Sequence, residues 1–495
     1  MTFPCFFAIL SATSRTFRLT REQANIGGEV CPSTRGKPAI PAGKACEKHE
    51  GDGMSTTQQG ALTLFEHETR EYRWTDRDLA ELSTLSHLAG EEVLRAGVAS
   101  GRRVLQATAH IGVFCFGQTT VHVLPKMYQS QATEPRSAHE REAARNLLFL
   151  LRYALHLPVR EYGLASLSAY DHDWFEGLIA LFAGHLLEEW QRGPYRHYQE
   201  VKDTLPLLKG KLDVVSQLRH LEAQHRFTVS YDEYTADVPL NRVFRFVVER
   251  LWRLTRDERN KRRLARLRQW MEEITLLPQV SVSDAHTIVM TRLNQRFASL
   301  LELARLFLDH SALQPATGST RTYAFVIDMN QLFESFLTTF ICRHRREILP
   351  PGLQACALRP QSSGTVRSLA AHLESGRKVF RLKPDLVVYD QEQNSFPLLI
   401  DMKYKRIAEK GGVRIAPDDF YQMFAYAQRY QCPRVLLLYP QTAAESAAVC
   451  QSYTLEGEQV IVAATVDLCQ DLGRKVEQQR LKDRLHSLVA VEVEQ

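Results

Sequence analysis

Two short apolar runs separated by a turn-prone segment constrain the fold most strongly. Residues 386–389 and 396–400 are rich in β-branched and bulky side chains and are bounded by polar residues, a pattern typical of neighbouring buried strands. The intervening DQEQNS is short enough for a hairpin turn. Each predicted strand carries an acid, Asp385 at the edge of one and Asp401 inside the other. Because acids are rare in buried strands, this pair indicates a function.

The two acids and a neighbouring lysine predict a metal-dependent hydrolytic site. Side chains alternate along a strand, so Asp401 and Lys403 point the same way and a hairpin brings Asp385 beside them. The two carboxylates and the Met402 carbonyl would hold Mg²⁺, while Lys403 would position and activate water and offset charge on a phosphate. The prediction is hydrolysis of a phosphodiester. The alternative is an exposed edge hairpin whose Asp and Lys form a surface ion pair.

A helix downstream supports this prediction. Residues 419–427 have amphipathic spacing, and Gln422 and Tyr426 lie four apart on one face. They could contact the phosphate backbone or hold the carboxylates in place. For Tyr426, the alternative is a half-buried helix aromatic.

The segments LKPDLVVYD, LLIDMKYK and DFYQMFAYA resemble a PD-(D/E)xK nuclease core. In detail they resemble the McrC family, the nuclease subunit of McrBC-type, 5-methylcytosine-specific (type IV) restriction systems, and FVIDMNQLFESF at 325–336 also matches that family. The resemblance implies a restriction-endonuclease-like mixed sheet flanked by helices and Mg²⁺-dependent cleavage of DNA. It also makes Glu334 a candidate third metal-binding carboxylate; the alternative is a solvated helix glutamate.

The chain has no phosphate-binding loop of the GxxxxGK[ST] type; for example, Pro38 follows Gly36-Lys37 and Leu212 follows Gly210-Lys211. The resemblance implies that GTP is bound by a separate partner, a McrB-like AAA+ GTPase hexamer that recognises modified cytosine in double-stranded DNA. The N-terminal half of the chain would dock onto this ring and stimulate its hydrolysis. Two alternatives stay open: a stand-alone or RecB-like nuclease, and a non-catalytic GTPase-activating adaptor.

Composition limits the class of protein. The chain has 495 residues, enough for two to four domains, and its net charge of +5 means that any nucleic-acid surface is local. Nine cysteines without a CxxC pair argue for a reducing compartment and against structural zinc. No apolar run approaches the ~20 residues that span a bilayer. We therefore expect a cytoplasmic protein without a membrane partner.

We predict a multidomain α/β protein. Residues 1–53 are predicted to be disordered or a mis-assigned extension, with Met54 as the start. The further predicted units are an N-terminal β-containing partner-binding domain at 54–136, a mainly helical domain at 137–315 and the nuclease domain at 316–495.

Local patterns predict individual elements. Thr75 and Asp78 form a capping box before a helix. Strands are predicted at 104–110, 112–116, 120–124, 434–440 and 459–466, and helices at 143–157, 174–190, 256–270, 332–340 and from 472. Helix 256–270 is either a solvated face or a stripe facing DNA or a partner, and its basic residues are Arg256, Arg259, Lys261, Arg262, Arg263, Arg266 and Arg268.

Overall fold

The computed structural model describes residues 61–90, 92–116, 119–129, 136–155, 170, 173–219, 225–309, 311–313, 322–361, 366–409, 412–445, 447–455 and 458–490. The predictions for residues 1–53 and for a start at Met54 lie outside these ranges. The helices are α1 (Asp76–Ala89), α2 (Arg136–Ala154), α3 (Trp174–Gln191), α4 (Val214–Arg219), α5 (Pro239–Leu254), α6 (Glu258–Trp270), α7 (Val282–His286), α8 (Ala298–Asp309), α9 (Met329–Arg343), α10 (Arg345–Ile348), α11 (Pro351–Gln354), α12 (Pro417–Tyr430) and α13 (Lys475–Ala490).

The strands form six sheets in the described part of the chain. They are β1 (Ala61–Phe65), β2 (Thr69–Glu71), β3 (Leu94–Ala99), β4 (Arg102–Ala107), β5 (Ile111–Phe116), β6 (Thr119–Leu124), β7 (His197–Leu205), β8 (Lys211–Leu212), β9 (Phe227–Thr235), β10 (Ser311–Leu313), β11 (Tyr323–Ile327), β12 (Ala357–Pro360), β13 (Arg367–Ala371), β14 (Lys378–Leu382), β15 (Leu386–Asp390), β16 (Ser395–Met402), β17 (Ala408–Glu409), β18 (Gly412–Val413), β19 (Arg434–Pro440), β20 (Cys450–Thr454) and β21 (Val460–Val466).

The N-terminal region contains two sheets. One has the order β1-β6-β5-β11-β10, and the other has the order β2-β4-β3. The predicted capping box is confirmed, because the Asp78 amide donates to Thr75 Oγ1 and the Thr75 amide donates to Asp78 Oδ2 at 2.7 Å. The predicted strands β4, β5 and β6 are also present.

The first sheet joins distant parts of the sequence. β5 pairs with β6 on one side and with β11 on the other, both antiparallel, and β11 pairs with β10. β10 and β11 lie on opposite sides of the predicted boundary at 315/316. The strand that leads into α9 therefore completes a sheet begun near residue 61.

The middle of the chain packs α2, α3, α5, α6 and α8 around a core rich in leucine and phenylalanine. This part of the chain also contains a three-stranded sheet, β7-β9-β8, that the sequence patterns did not predict. Part of the charge on the basic helix α6 is used internally: Arg268 pairs with Glu249 at 2.6 Å and Arg259 pairs with Asp257 at 3.1 Å.

The C-terminal region is built on a six-stranded mixed sheet of order β12-β15-β16-β19-β21-β20. β16, β19 and β21 are parallel, and the remaining neighbours are antiparallel. Side chains alternate along β16, so Leu398 and Ile400 pack towards α9 and α13, while Leu399 packs towards α12. Among the described helices, none combines the length and apolarity needed to cross a membrane.

Candidate active site

The predicted hairpin brings the two acids together. β15 and β16 pair antiparallel with Leu386 opposite Ile400, which places Asp385 opposite Asp401 on the same face one residue further along. Asp385 Oδ2 accepts a hydrogen bond from the Met402 amide at 2.8 Å. The side chains are buried, with Asp385 6% and Asp401 1% exposed. The alternative of an exposed edge hairpin is wrong, since both strands lie inside the six-stranded sheet.

Lys403 follows directly after β16 and completes the group. Its Nζ lies 2.8 Å from Asp401 Oδ2, and its side chain is 20% exposed. Asp401 Oδ1 is buried and has no hydrogen-bond partner among the described residues. Gln361 Nε2 lies 3.4 Å from Asp385 Oδ1 and is a weak donor to it. Asp401 therefore has one cationic neighbour, Lys403, and a second oxygen that is available to another cation.

The acids affect one another electrostatically. Burial raises the pKa of Asp385 well above its usual value, and the charges of Asp401 and Glu334 raise it further. Burial also raises the pKa of Asp401, although Lys403 opposes this. The pKa of Glu334, on α9, is raised to about 7 by burial and by Asp401, against the effect of Lys403. Each of these carboxyls therefore loses its proton less readily than a free acid, and a bound cation would favour their charged forms.

Helix α12 packs against the face of the sheet that carries Asp385 and Asp401. Gln422 Nε2 donates to Tyr426 Oη at 2.8 Å, as their i, i+4 spacing allows. Tyr426 is 2% exposed rather than half-buried. Burial and the charges of Asp401 and Asp385 raise the pKa of the Tyr426 hydroxyl. Tyr426 therefore remains a neutral hydroxyl beside the acids.

Asp419 is a fourth acid that the sequence reasoning missed. It is buried, accepts from Lys405 Nζ at 2.7 Å and from Tyr439 Oη at 3.2 Å, and contributes to the raised pKa of Asp401. Its position three residues before Gln422, on the same face of α12, is the signal that could have identified it.

The oxygen donors available to a hard cation are the carboxylates of Asp385 and Asp401, the Met402 carbonyl and the more distant Glu334. Mg²⁺ prefers hard oxygen donors, and the buried Asp401 carboxylate has an oxygen without a hydrogen-bond partner that fits this preference. No ready-made cluster of three or more His, Cys, Asp or Glu ligands occurs in the described ranges. A metal here would therefore depend chiefly on two carboxylates.

These features can be compared with known proteins. Residues 105–440 match the model of the family described as McrBC 5-methylcytosine restriction system component. The match covers more than half of the chain and includes the hairpin, Lys403 and α12. The chain belongs to this family.

One solved structure supports the fold. The chain is similar to one in a refined half-complex from the tetradecameric assembly of Thermococcus gammatolerans McrB AAA+ hexamers with bound McrC, at 22% identity and a TM-score of 0.59, covering 86% of this chain and 99% of that one. A second similarity is to the cryo-EM structure of the Thermococcus gammatolerans McrBC complex, at 26% identity and a TM-score of 0.44, covering 58% and 88%. No curated protein matches the chain.

Proposed function

We propose that the chain is the nuclease subunit of a McrBC-type restriction system, a Mg²⁺-dependent endodeoxyribonuclease with a PD-(D/E)xK core. The observation that carries this proposal is the placement of Asp385 opposite Asp401 in the interior of a sheet, with Lys403 Nζ 2.8 Å from Asp401. Opposed buried acids destabilise a sheet, so their presence in its interior indicates a function. Family membership supports the same reading.

Asp385, Asp401 and the Met402 carbonyl would hold Mg²⁺, with Glu334 as a further carboxylate. When bound, the metal stabilises the charge that develops on the phosphate and lowers the pKa of bound water. The chain holds the two carboxylates in position through the rigid hairpin, since Asp385 is fixed by the Met402 amide at 2.8 Å. This preorganisation keeps the ligands together before substrate arrives.

Lys403 has the properties of a donor rather than of a base. Burial disfavours its charge, but Asp401, Asp385 and Glu334 outweigh this and raise the pKa of Lys403. It therefore remains an ammonium near pH 7, able to orient water and to offset charge on the scissile phosphate. Gln422 and Tyr426 would hold the DNA backbone or the carboxylates in place.

The partner would be a McrB-like AAA+ GTPase hexamer that binds GTP and brings double-stranded DNA with modified cytosine. Family membership and the shared fold with a chain from the McrB–McrC assembly support this proposal. The N-terminal half of the chain would dock onto the ring and stimulate GTP hydrolysis, while the C-terminal sheet cleaves the DNA.

The test compares wild type with Lys403→Ala in the presence of the partner, GTP, Mg²⁺ and methylated DNA. We expect the variant to lose cleavage by at least about a hundredfold, as electrostatic catalytic groups typically contribute that much, and to stimulate GTP hydrolysis normally. The matched control, the exposed Lys475→Ala at the start of α13, should retain both activities.

Two outcomes would replace this proposal. If Lys403→Ala leaves every activity of the complex unchanged, the chain is a non-catalytic adaptor of the GTPase. If the wild-type chain alone cleaves DNA with Mg²⁺ and without nucleotide, it is a stand-alone or RecB-like nuclease.

A further inference from the structure

The hairpin β13–β14 is an exposed basic element next to the candidate active site. Its second strand, β14, ends at Leu382, and only Lys383 and Pro384 separate it from Asp385. Among the described strands, these two pair with each other and with no third strand, from Arg367 opposite Leu382 to Ala371 opposite Lys378. A two-stranded ribbon of this kind is marginally stable by itself, so its base needs support.

That support comes from the C-terminal end of α12. Tyr430 Oη donates to the Leu382 carbonyl and accepts from the Arg367 amide, both at 3.2 Å. Arg429 Nε donates to the Ser368 carbonyl at 2.8 Å. Tyr430 lies one helical turn beyond Tyr426, so the same helix fixes the hairpin base and covers the acids.

Beyond this base the hairpin extends into solvent and is positively charged. Residues 366–383 contain five basic side chains and one acidic side chain, Glu374. Arg377, Lys378, Arg381 and Lys383 are exposed, and none forms an ion pair within the described part of the chain. Such a cluster raises the local potential well above that of a protein with a net charge of only +5.

The basic surface of the hairpin also includes an apolar residue whose backbone is strained. Phe380 is 73% exposed and has a φ of +53°, a conformation that bulky residues rarely adopt. Its strand partner would be Leu369, which is also exposed. Neither side chain belongs to an apolar core cluster of the described residues. Strained, exposed residues of this kind commonly serve a ligand.

We propose that the β13–β14 hairpin is a DNA-binding element that holds the duplex beside the candidate active site. Arg377, Lys378, Arg381 and Lys383 bind phosphates, and Phe380 packs against a sugar or base edge. This inference rests on the proposed function, because it takes DNA as the substrate. Charge complementarity and continuity with the strand bearing Asp385 favour DNA over a protein partner.

The reach of the hairpin agrees with this role. At about 3.3 Å per residue, Arg381 lies within about 13 Å of Asp385 and Lys378 within about 23 Å. A duplex carries one phosphate charge per about 1.7 Å of its axis, so these side chains fall among phosphates within two helical turns of the cleavage point. The hairpin would thus fix the register of the duplex on the site.

The first experiment measures binding of the full-length chain to a fluorescent duplex in EDTA over a series of KCl concentrations. The variant is Arg377→Gln/Lys378→Gln/Arg381→Gln. Each lost phosphate contact lowers the salt slope of log K by about 0.9, so we expect a decrease of about 2.7. The control Arg226→Gln/Arg292→Gln/Arg346→Gln removes the same charge from exposed sites away from the hairpin and from α6, and should leave the slope within about 0.5 of wild type, since it removes no phosphate contact.

A second variant, Phe380→Gly, separates binding from stability. Glycine adopts a positive φ readily, so the thermal midpoint should stay constant or rise. Loss of the aromatic contact should weaken DNA binding roughly tenfold. A lower midpoint with unchanged binding would show that Phe380 serves the fold and would overturn its assignment.

These results are independent of the cleavage test. Unchanged affinity and salt slope in the hairpin triple variant, or equal losses in the control triple variant, would overturn the inference while the nuclease proposal could stand. If the hairpin triple variant keeps DNA binding but loses self-association or binding to the GTPase ring, the hairpin is a protein interface. This result would also overturn the inference. Hairpin-dependent DNA binding without cleavage by wild type would support the inference and defeat the proposed nuclease.

Discussion

Asp385 and Asp401 reduce stability because neither carboxylate is solvated and each opposes the charge of the other. Asp385→Asn removes the ionisable carboxyl and keeps an oxygen that accepts from the Met402 amide. We expect it to raise the free energy of unfolding by about 1 kcal/mol or more in EDTA, as relief of buried charge generally does. Chemical denaturation measures this. The exposed Asp418→Asn at the start of α12 should not stabilise, and a loss of stability in Asp385→Asn would contradict the account.

Asp237 gives a pH-dependent prediction far from the site. It accepts from Arg242 Nε at 2.8 Å and from the Thr275 amide at 2.9 Å, and the Arg242 interaction is the main reason that its pKa is lowered to about 2. A carboxyl with a depressed pKa stabilises the fold above its unfolded pKa, and the contribution disappears as the pH falls through the folded value.

Asp237→Asn should therefore lower the free energy of unfolding by about 2 kcal/mol at pH 7, from a shift of nearly two units. The difference from wild type should shrink between pH 4 and pH 2. Urea denaturation across this pH range measures it, with the exposed Asp232→Asn as control. A difference independent of pH would show that packing, and not charge, accounts for the effect.

The site residues were predictable to the extent that they lie on regular elements. Alternation along a strand and an i, i+4 helix pair anticipated the grouping of Asp385, Asp401 and Lys403 and the contact between Gln422 and Tyr426. Their catalytic and metal-binding roles stay predictions. Asp419 was missed because its partners, Lys405 and Tyr439, come from a loop and a strand whose positions depend on tertiary packing.

At the level of elements, the junction between β5 and β11 depends on a glycine. A Cβ at Gly112 would lie 2.1 Å from the Phe325 carbonyl oxygen, which is a backbone atom that cannot move alone. Gly112→Ala should therefore separate the two strands and lower the free energy of unfolding by about 3 kcal/mol, within the range of severe core changes.

The matched control is Gly184→Ala on α3, where a Cβ meets no atom within 4 Å. It should stabilise the chain by roughly 0.5–1 kcal/mol through helix propensity. Both effects are measured by chemical denaturation. If Gly112→Ala is as stable as wild type, the β5–β11 pairing does not hold the two regions together.

Elements with a buried face were easier to predict than those without one. α9, α12, β19 and β21 each pack an apolar side into the core, and the sequence shows the corresponding period. The strand pairs β7–β9 and β13–β14 are largely exposed on both faces, so polar residues interrupt their alternation and no strand signal remains.

In the whole molecule, distant segments share one core. Asn146 Nδ2 on α2 donates to the Gln470 carbonyl at 2.8 Å, Tyr128 Oη donates to the Leu468 carbonyl at 3.1 Å, and α2 packs against α9. A sequence pattern reports no such contact, and the predicted boundary at 315/316 rests on local composition alone.

A fragment of residues 316–495 should therefore be unstable, because β11 would lose β5 and α9 would lose α2. A fragment of residues 61–490 should keep the complete core. Limited proteolysis and circular dichroism of both fragments provide the comparison. A compact 316–495 fragment with a cooperative thermal transition would show that the C-terminal region folds independently.

The central claim is that Asp385 and Asp401 face each other in order to bind a divalent metal. Its most direct test is Mn²⁺ binding to the full-length chain, followed by electron paramagnetic resonance, for wild type and the Asp385→Asn/Asp401→Asn double variant, with Asp237→Asn as the acid-removing control. The account predicts saturable binding in wild type and the control and its loss in the double variant. Equal binding in all three proteins, or none in wild type, would contradict it.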